Sequence, residues 1–205
     1  MSYSQHGEDT YIASLFPSGF VGTCVEVGAY DGVSLSNTMM FEKQGWDCLC
    51  VEPIPESFQK CQQVRKRAVN AAVGTQDQTK QTFTVFTLTG NNKCAISGLE
   101  PDTRLIQSHA HMIEQKQDIE VTVRSLTAIL DEAKFPVVID FVSIDTENTE
   151  LDVLKSLDMS KYTVRLFVIE NNFNEPHIEE YLKAYGYTKI HRLAVNDFYK
   201  HHSFG

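Results

Sequence analysis

Short apolar runs alternate with amphipathic segments along most of this chain. The runs are rich in β-branched residues and end in glycine, proline or an acid, which is typical of buried strands in a parallel sheet. The amphipathic segments repeat their apolar positions every three or four residues, as helices that cover a sheet do. The pattern predicts strands at 20–27, 48–51, 68–73, 137–144 and 164–169. This alternation predicts an α/β fold with a mainly parallel sheet and helices on both faces.

The alternation stops between residues 77 and 124. Residues 82–88 and 119–123 have the β-branched and aromatic composition of strands, and we predict that they pair as an edge addition beside the third strand. Between them lie a loop at 90–93 and a predicted helix at about 103–116. Long insertions beside a ligand site often determine specificity, so we expect this segment to form a wall of the substrate site.

Two further strands, at 187–193 and 197–201, predict a C-terminal antiparallel hairpin. The chain contains no internal repeat and no low-complexity linker, and its 205 residues are the size of one domain. We therefore expect a single domain over residues 1–205, with the segment at about 77–124 as an insertion.

Charge and cysteine content limit the partners and the compartment. The formal net charge of -9 argues against a nucleic-acid partner, because phosphate binding needs clustered lysine and arginine. One basic run, Arg65-Lys66-Arg67, is interpreted as the solvated end of a helix. No apolar run approaches the roughly 18 residues that cross a membrane, and the polar N-terminus is not a signal peptide. The five cysteines form no C-x-x-C motif, which favours reduced thiols and a cytoplasmic protein.

The first strand ends in a glycine turn that is the most informative stretch of the sequence. Val27 is followed by Gly28, and Gly32 comes four residues later. A strand, a glycine turn and a helix N-terminus hold nucleotide-like ligands in α/β folds. A dinucleotide site needs a G-x-G-x-x-G motif, whereas this turn has two glycines and two acids, Glu26 and Asp31. Acids there would repel a pyrophosphate but suit a ligand that carries ammonium and sulfonium charge.

The second strand ends in Glu52-Pro53, about where nucleotide folds place a carboxylate on ribose hydroxyls. With this acid the sequence resembles the FkbM-type S-adenosylmethionine-dependent methyltransferases. The motifs that carry the resemblance follow one another in the expected order and cover most of the chain. They are Tyr3-Ser4-Gln5 with Glu8-Asp9, VEVGAYDG at 25–32, Ser36-Asn37-Thr38, Phe41-Glu42, Gly45-Trp46, VEP at 51–53, NAAVG at 70–74, SIDTENTELDVL at 143–154 and VIENN at 168–172.

The resemblance implies a Rossmann-like class I methyltransferase fold with a seven-stranded sheet. It implies S-adenosylmethionine as the cofactor and methylation of a hydroxyl on a sugar or natural product, so we expect a small-molecule or glycan acceptor. It also places Gln5 near the cofactor or the substrate, although a polar helix start explains residues 5–9 equally well.

The predicted cofactor-binding residues lie mostly at the carboxyl ends of strands, where ligands of such sheets bind. Glu52 is predicted to bind both ribose hydroxyls, and Gly28 is predicted to let the backbone approach the cofactor. The full set is Gln5, Glu26, Gly28, Ala29, Tyr30, Asp31, Ser36, Glu52, Pro53, Ala72 and Asp145.

Three acids near the ends of the fourth and fifth strands are the predicted catalytic residues: Asp145, Glu147 and Glu170. A carboxylate beside a substrate hydroxyl can act as a general base. The alternative is that Asp145 and Glu147 cap the helix that begins near Asn148, where the helix macrodipole favours acids. The family usually has glycine where Asn148 stands, and asparagine tolerates the positive φ that such a turn needs.

A divalent metal is a further prediction at the same strand ends. Asp145, Glu170 and Asn171 offer two carboxylates and an amide oxygen, which are hard ligands suited to Mg²⁺. The basis is an analogy with metal-dependent catechol-type methyltransferases, a different branch of the fold.

Two other functions stay open from the sequence alone. One is a nucleotide-dependent oxidoreductase, against which the missing third glycine and the acidic turn count. The other is a non-catalytic module that binds the cofactor without turning it over.

Overall fold

The computed structural model describes residues 2–90 and 96–204. The strands, in chain order, are β1 (Thr23–Val27), β2 (Asp47–Val51), β3 (Ala68–Val69), β4 (Ala72–Val73), β5 (Thr79–Leu88), β6 (Ile113–Arg124), β7 (Val138–Ile144), β8 (Thr163–Glu170), β9 (Tyr187–Leu193) and β10 (Asn196–His201). The α-helices are α1 (Glu8–Ser14), α2 (Met39–Lys43), α3 (Pro55–Val64), α4 (Thr103–His109), α5 (Leu126–Glu132), α6 (Glu150–Lys155) and α7 (His177–Lys183).

In the described ranges, seven of these strands form the main sheet in the order β3-β2-β1-β7-β8-β10-β9. The pairs from β3 to β8 are parallel, whereas β10 runs antiparallel to both β8 and β9. The predicted Rossmann-like fold, its parallel sheet and its C-terminal hairpin are therefore confirmed. The order places β1 and β7 side by side, so their carboxyl ends meet at one edge of the sheet.

The central strands are buried on both faces because their side chains alternate between two apolar clusters. Phe141 of β7 packs with Phe41 and Trp46 on one face. The next residue, Val142, belongs to the cluster on the opposite face, which includes Leu126 and Leu130 of α5. Burial on both faces explains why β7 is a nearly continuous apolar run in the sequence.

The predicted third strand at 68–73 is two strands in the structure. Asn70 separates them, and its side-chain nitrogen donates to the backbone oxygens of Glu52 (2.8 Å) and Pro53 (3.0 Å). This contact turns the chain, so β3 stays beside β2 while β4 leaves the main sheet.

The predicted pairing of the two segments is confirmed, because β5 runs antiparallel to β6, and β6 lies beside β4, the end of the predicted third strand. Their predicted place at the edge of the main sheet is wrong, because β4 has left that sheet. In the described residues, β5 and β6 form a second, three-stranded sheet with β4, in the order β4-β6-β5. The predicted helix at 103–116 is also too long, because α4 ends at His109 and β6 already begins at Ile113. Pairing along ten residues of β5 satisfies the backbone of β6 and outweighs its local helical pattern. Residues 91–93 of the predicted loop lie outside the described residues.

No helix in the described part of the chain has the length and apolar character that crossing a bilayer requires. The cysteines described there, Cys24, Cys48, Cys50 and Cys61, are buried and free.

Candidate active site

A cavity of about 540 Å³ opens where the carboxyl ends of β1, β2 and β7 meet. The parallel sheet brings together side chains that are far apart in sequence, as predicted from their positions at strand ends. The predicted cofactor residues that line the cavity are Glu26, Gly28, Ala29, Tyr30, Asp31, Ser36, Glu52, Pro53, Ala72 and Asp145.

Gln5 is the exception among the predicted cofactor residues. Its side chain is exposed and it is not among the residues that line the cavity. The neighbouring Ser4 forms a β-bridge with Leu35, which does line it, so Gln5 lies close to the rim.

Gly28 allows β1 and β7 to approach each other at their ends. Its φ is 87°, in the left-handed region that favours glycine. A Cβ at this position would overlap the backbone oxygen of Asp145. The close approach that the sequence analysis assigned to the cofactor is therefore already made by Asp145, and one glycine positions both the turn and the acid opposite it.

Glu52 faces the turn from the end of β2 and is only 4% exposed. Its two oxygens accept hydrogen bonds from the backbone nitrogens of Tyr30 (2.8 Å) and Ile54 (2.8 Å). Burial raises the pKa of Glu52 to about 7 although these hydrogen bonds oppose the shift. Each carboxylate oxygen can accept a second hydrogen bond, so Glu52 suits a ligand with two adjacent hydroxyls.

Glu26 is fully engaged by the protein. Its oxygens accept from the backbone nitrogen of Asn37 (2.6 Å) and from the hydroxyls of Ser36 (2.7 Å) and Thr38 (2.7 Å). It also forms an ion pair with Arg65 at 3.4 Å. These contacts make Glu26 the anchor of the loop between the glycine turn and α2, and its contact with the cofactor stays a prediction.

The interpretation of Arg65-Lys66-Arg67 as a solvated helix end is wrong for Arg65. The Arg65 side chain is fully buried, with Nε 2.8 Å from Glu42 and a terminal nitrogen 2.7 Å from the Thr38 hydroxyl. Another nitrogen donates to the backbone oxygen of Gly32 at 2.9 Å. Arg65 thus ties the glycine turn to α2. No local signal in the sequence could have revealed this, because its partners lie 23 to 39 residues away.

Asp31 organises the outer part of the same loop. Its carboxylate accepts from the backbone nitrogens of Val33 (2.9 Å) and Ser34 (2.7 Å) and from the Ser34 hydroxyl (2.8 Å). Such a side-chain turn holds the backbone after Gly28 in a fixed course. Asp31 is therefore, like Glu26, a structural acid at the cavity wall.

An apolar slot lies next to Glu52. Its residues come from β4, β5 and two loops, and most of them belong to the cluster beneath the second sheet. They are Ile54, Ala72, Val73, Phe83 and Leu99. Phe83 and Leu99 could not be assigned to the cavity from the sequence, because the course of residues 77–124 determines which side of the cavity they reach.

The opposite side of the cavity is acidic, because Asp145 and Glu147 line it. Glu170 lies beside them and lines a small neighbouring pocket. In the described residues, carboxylate oxygens of Asp145, Glu147 and Glu170 lie within 4.8 Å of one another. Asp145 is exposed to the open cavity, Glu147 is half-buried and Glu170 is buried. The two strand ends have brought the three predicted catalytic acids together.

Burial and mutual repulsion raise the pKa values of these acids. The pKa of Asp145 rises to about 7, mainly through loss of solvation among surrounding protein atoms and then through the charge of Glu150. The pKa of Glu147 is raised well above its ordinary value by burial and by Asp145, and that of Glu170 by burial, Asp145 and Glu147. Asp145 faces the open cavity, but that cavity is a crevice with protein atoms around it. These atoms displace bulk water from the carboxylate and so raise its pKa.

The turn after β7 adopts the conformation that Asn148 was predicted to tolerate. Glu147 has φ 57° and Asn148 has φ 100°. The Asn148 side chain donates to the backbone oxygen of Glu100 at 2.9 Å, which joins this turn to the 77–124 segment. Glu150 accepts from the backbone nitrogens of Thr146 (3.0 Å) and Asn148 (3.1 Å), so Glu150 rather than Glu147 caps the turn.

The side chain of Asn171, the third predicted metal ligand, is engaged within the protein. Its side-chain nitrogen donates to Glu175 (2.9 Å) and Asp197 (3.0 Å), and its oxygen accepts from the backbone nitrogen of Glu175 (2.8 Å). These contacts bind Asn171 to the hairpin side of β8. Glu147 lies instead with Asp145 and Glu170, so the hard ligands at this edge are three carboxylates.

A Rossmann-like sheet with a glycine turn, an acid at the end of β2 and a cavity at the strand ends is the arrangement of a nucleotide-type cofactor site. Residues 26–189 match the family model described as Methyltransferase FkbM domain. The family match identifies the class as the S-adenosylmethionine-dependent methyltransferases. The chain therefore belongs to the FkbM methyltransferase family, and the resemblance seen in the sequence is confirmed. No match was found among curated proteins.

Solved structures with the same fold share little sequence identity with this chain. A human methyltransferase 10 domain containing protein shares 13% identity, with a TM-score of 0.51, over 95% of this chain and 80% of that one. The METTL16 MTase domain shares 10% identity, with a TM-score of 0.50, over 93% of this chain. The chain spans 63% of the length of that METTL16 structure. At these identities the likeness shows the fold alone.

Proposed function

We propose that this protein transfers the methyl group of S-adenosylmethionine to a hydroxyl of a small acceptor, such as a sugar or a natural product. The observation that carries the proposal is the division of one cavity into two sides. A ribose-type carboxylate and an apolar slot lie on one side, and unpaired carboxylates lie on the other.

The first side fits the cofactor. The apolar slot formed by Ile54, Phe83 and Leu99 suits an adenine ring, and Glu52 next to it suits the ribose diol. The volume of about 540 Å³ lies within the range of cofactor sites. The lining acids outnumber Lys60, the one basic residue lining the described cavity, which suits a ligand with ammonium and sulfonium charge.

The second side fits a hydroxyl acceptor. Bound S-adenosylmethionine supplies a methyl group that its sulfonium has already activated. The chain has to hold the acceptor oxygen about 3 Å from the methyl carbon and in line with the bond that breaks. Asp145 accepts the proton that the hydroxyl loses as its oxygen bonds to the methyl carbon. The products are a methyl ether and S-adenosylhomocysteine.

We do not include nucleic acids among the proposed acceptors, because the side of the cavity that holds Asp145 is acidic and the net charge of the protein is -9. It also takes the protein to be cytoplasmic, as the free cysteines favour. The segment at 77–124 contributes Phe83, Ser97 and Leu99 to the cavity, and we take it to shape the entrance for the acceptor.

The test is product analysis with S-adenosylmethionine that carries a deuterated methyl group. Hydroxylated sugars and natural products, primary amines and an RNA oligonucleotide form the acceptor panel. We expect labelled methyl ethers, and we expect Asp145→Asn to lower kcat by about 100- to 10,000-fold. Asp152→Asn is the matched control, because Asp152 is an exposed acid on α6.

Label found only on nitrogen or only on RNA would overturn the hydroxyl assignment. Cofactor binding without transfer to any acceptor would instead favour the non-catalytic module. Normal turnover by Asp145→Asn would remove Asp145 from the chemistry.

A further inference from the structure

We infer that Asp145, Glu147 and Glu170 bind a divalent cation that prefers oxygen ligands, such as Mg²⁺, at the acceptor side of the cavity. The inference rests on the proposed function only for what the cation does, since it would hold the acceptor oxygen there. Binding of the cation itself needs neither cofactor nor acceptor.

The spacing of the three carboxylates fits one ion. Their oxygens lie within 4.8 Å of one another. Opposite oxygens around Ca²⁺ are about 5 Å apart and those around Mg²⁺ about 4.2 Å, as their bond lengths require. Side chains at this spacing can therefore share a cation after small rotamer adjustments, with water or an acceptor oxygen completing the coordination.

Glu170 provides the independent sign of a missing partner. The residue is 8% exposed, and its Oε2 atom is buried without a hydrogen-bond donor among the described residues. A buried, unsatisfied carboxylate oxygen is costly, and such atoms are rare in folded proteins. A cation between Glu170 and the other two acids would satisfy this atom.

Three acids near this cluster have partners within the protein. Glu26 has its ion pair with Arg65, and Glu8 accepts from Asn196 at 2.9 Å. Glu150 is held by backbone nitrogens. In the described part of the chain, Asp145, Glu147 and Glu170 take part in no ion pair. These three residues, whose oxygens converge, therefore have no cationic side chain of the described protein as a partner.

A cation here is compatible with the proposed chemistry of Asp145. A carboxylate has two oxygens, so one can contact the ion while the other faces the acceptor hydroxyl. An acceptor with two neighbouring oxygens could bind the ion with both, which would fix the oxygen to be methylated.

The experiment is a titration of the cofactor-free protein with Mn²⁺, followed by the electron paramagnetic resonance signal of free Mn²⁺. We expect one site per chain and competition by Mg²⁺ at constant ionic strength. Glu147→Gln and Glu170→Gln should each weaken binding by about tenfold or more. Asp152→Asn, which removes an exposed acid from α6, should change it by less than about threefold.

Glu147→Gln is the decisive variant. Glu147 is only half-buried, so we expect its replacement to leave the protein folded, unlike a substitution in the core. A wild-type protein without a stoichiometric site would overturn the inference, and so would undiminished binding by folded Glu147→Gln and Glu170→Gln. Failure of this titration leaves methyl transfer to be judged by its own product analysis.

Discussion

The acids of the glycine turn and the acids at the ends of β7 and β8 differ in how their charges are balanced. At the glycine turn, Glu26 has four partners within the protein, including Arg65, and Asp31 is capped by its own loop. At the ends of β7 and β8, Asp145 and its neighbours face one another without an ion pair among the described residues. Paired acids hold the backbone in place, whereas unpaired acids in a cavity are left for a ligand.

The largest effect that this contrast predicts is at Arg65. Arg65→Met would leave Glu26 and Glu42 buried without their cation, so we expect a loss of about 3–5 kcal/mol in the free energy of unfolding. Arg67→Met is the control, because the Arg67 side chain is 29% exposed and its ion pair with Asp47 is at the surface. Urea unfolding of both variants measures the difference. Equal, small losses would mean that the Arg65 pairs do not stabilise the turn.

The next prediction concerns the glycine that joins the two sides. In Gly28→Ala, the alanine has to adopt an unfavourable φ of 87°, and its Cβ has to push the backbone oxygen of Asp145 away. Gly19→Ala is the matched control, with a φ of 76° and no atom within 4 Å of the added Cβ. The control isolates the backbone strain, about 1–2 kcal/mol. Gly28→Ala should lose clearly more than this and also lose cofactor affinity in calorimetry. Identical losses in the two variants would show that the backbone oxygen of Asp145 moves away from the added Cβ without a cost in the free energy of unfolding.

The smallest predicted effect has the opposite sign. In buffer with a chelator, Glu147→Gln removes a carboxyl group that burial and Asp145 make costly to ionise, so we expect the protein to gain about 0.5–2 kcal/mol. Glu42→Gln, which removes a charge paired with Arg65, should destabilise the protein. Chemical unfolding of the two variants compares the signs. Destabilisation by both would show that the acids at the strand ends are already balanced.

The sequence predicted the fold because its main signals are local. The parallel sheet is specified by the alternating strands and helices and by the glycine turn. The sheet brings Glu52 and Asp145 to one cavity independently of the conformation of the loops. The side-chain roles could not be predicted in the same way. Glu26 and Asp145 are both acids at strand ends, and the first is structural because the fold brings four partners to it, including the distant Arg65.

The separation of the second sheet from the main sheet could not be predicted for a related reason. Residues 82–88 and 119–123 were predicted as strands, but the departure of β4 from the main sheet depends on contacts from Asn70 to Glu52 and Pro53. Periodicity identifies a strand's faces without identifying its partner. Phe83 therefore could not be assigned to the cavity from the sequence.

The most direct test of the two-sided cavity is calorimetry with S-adenosylmethionine on two variants and a control. Glu52→Ala should weaken binding by about ten- to a hundredfold, because charge-assisted hydrogen bonds to ribose are worth roughly 1.5–3 kcal/mol. Glu147→Gln should stay within about threefold of the wild type, as should the exposed control Glu56→Ala. Unchanged affinity in folded Glu52→Ala, or a larger loss in Glu147→Gln than in Glu52→Ala, would contradict the assignment of the two sides.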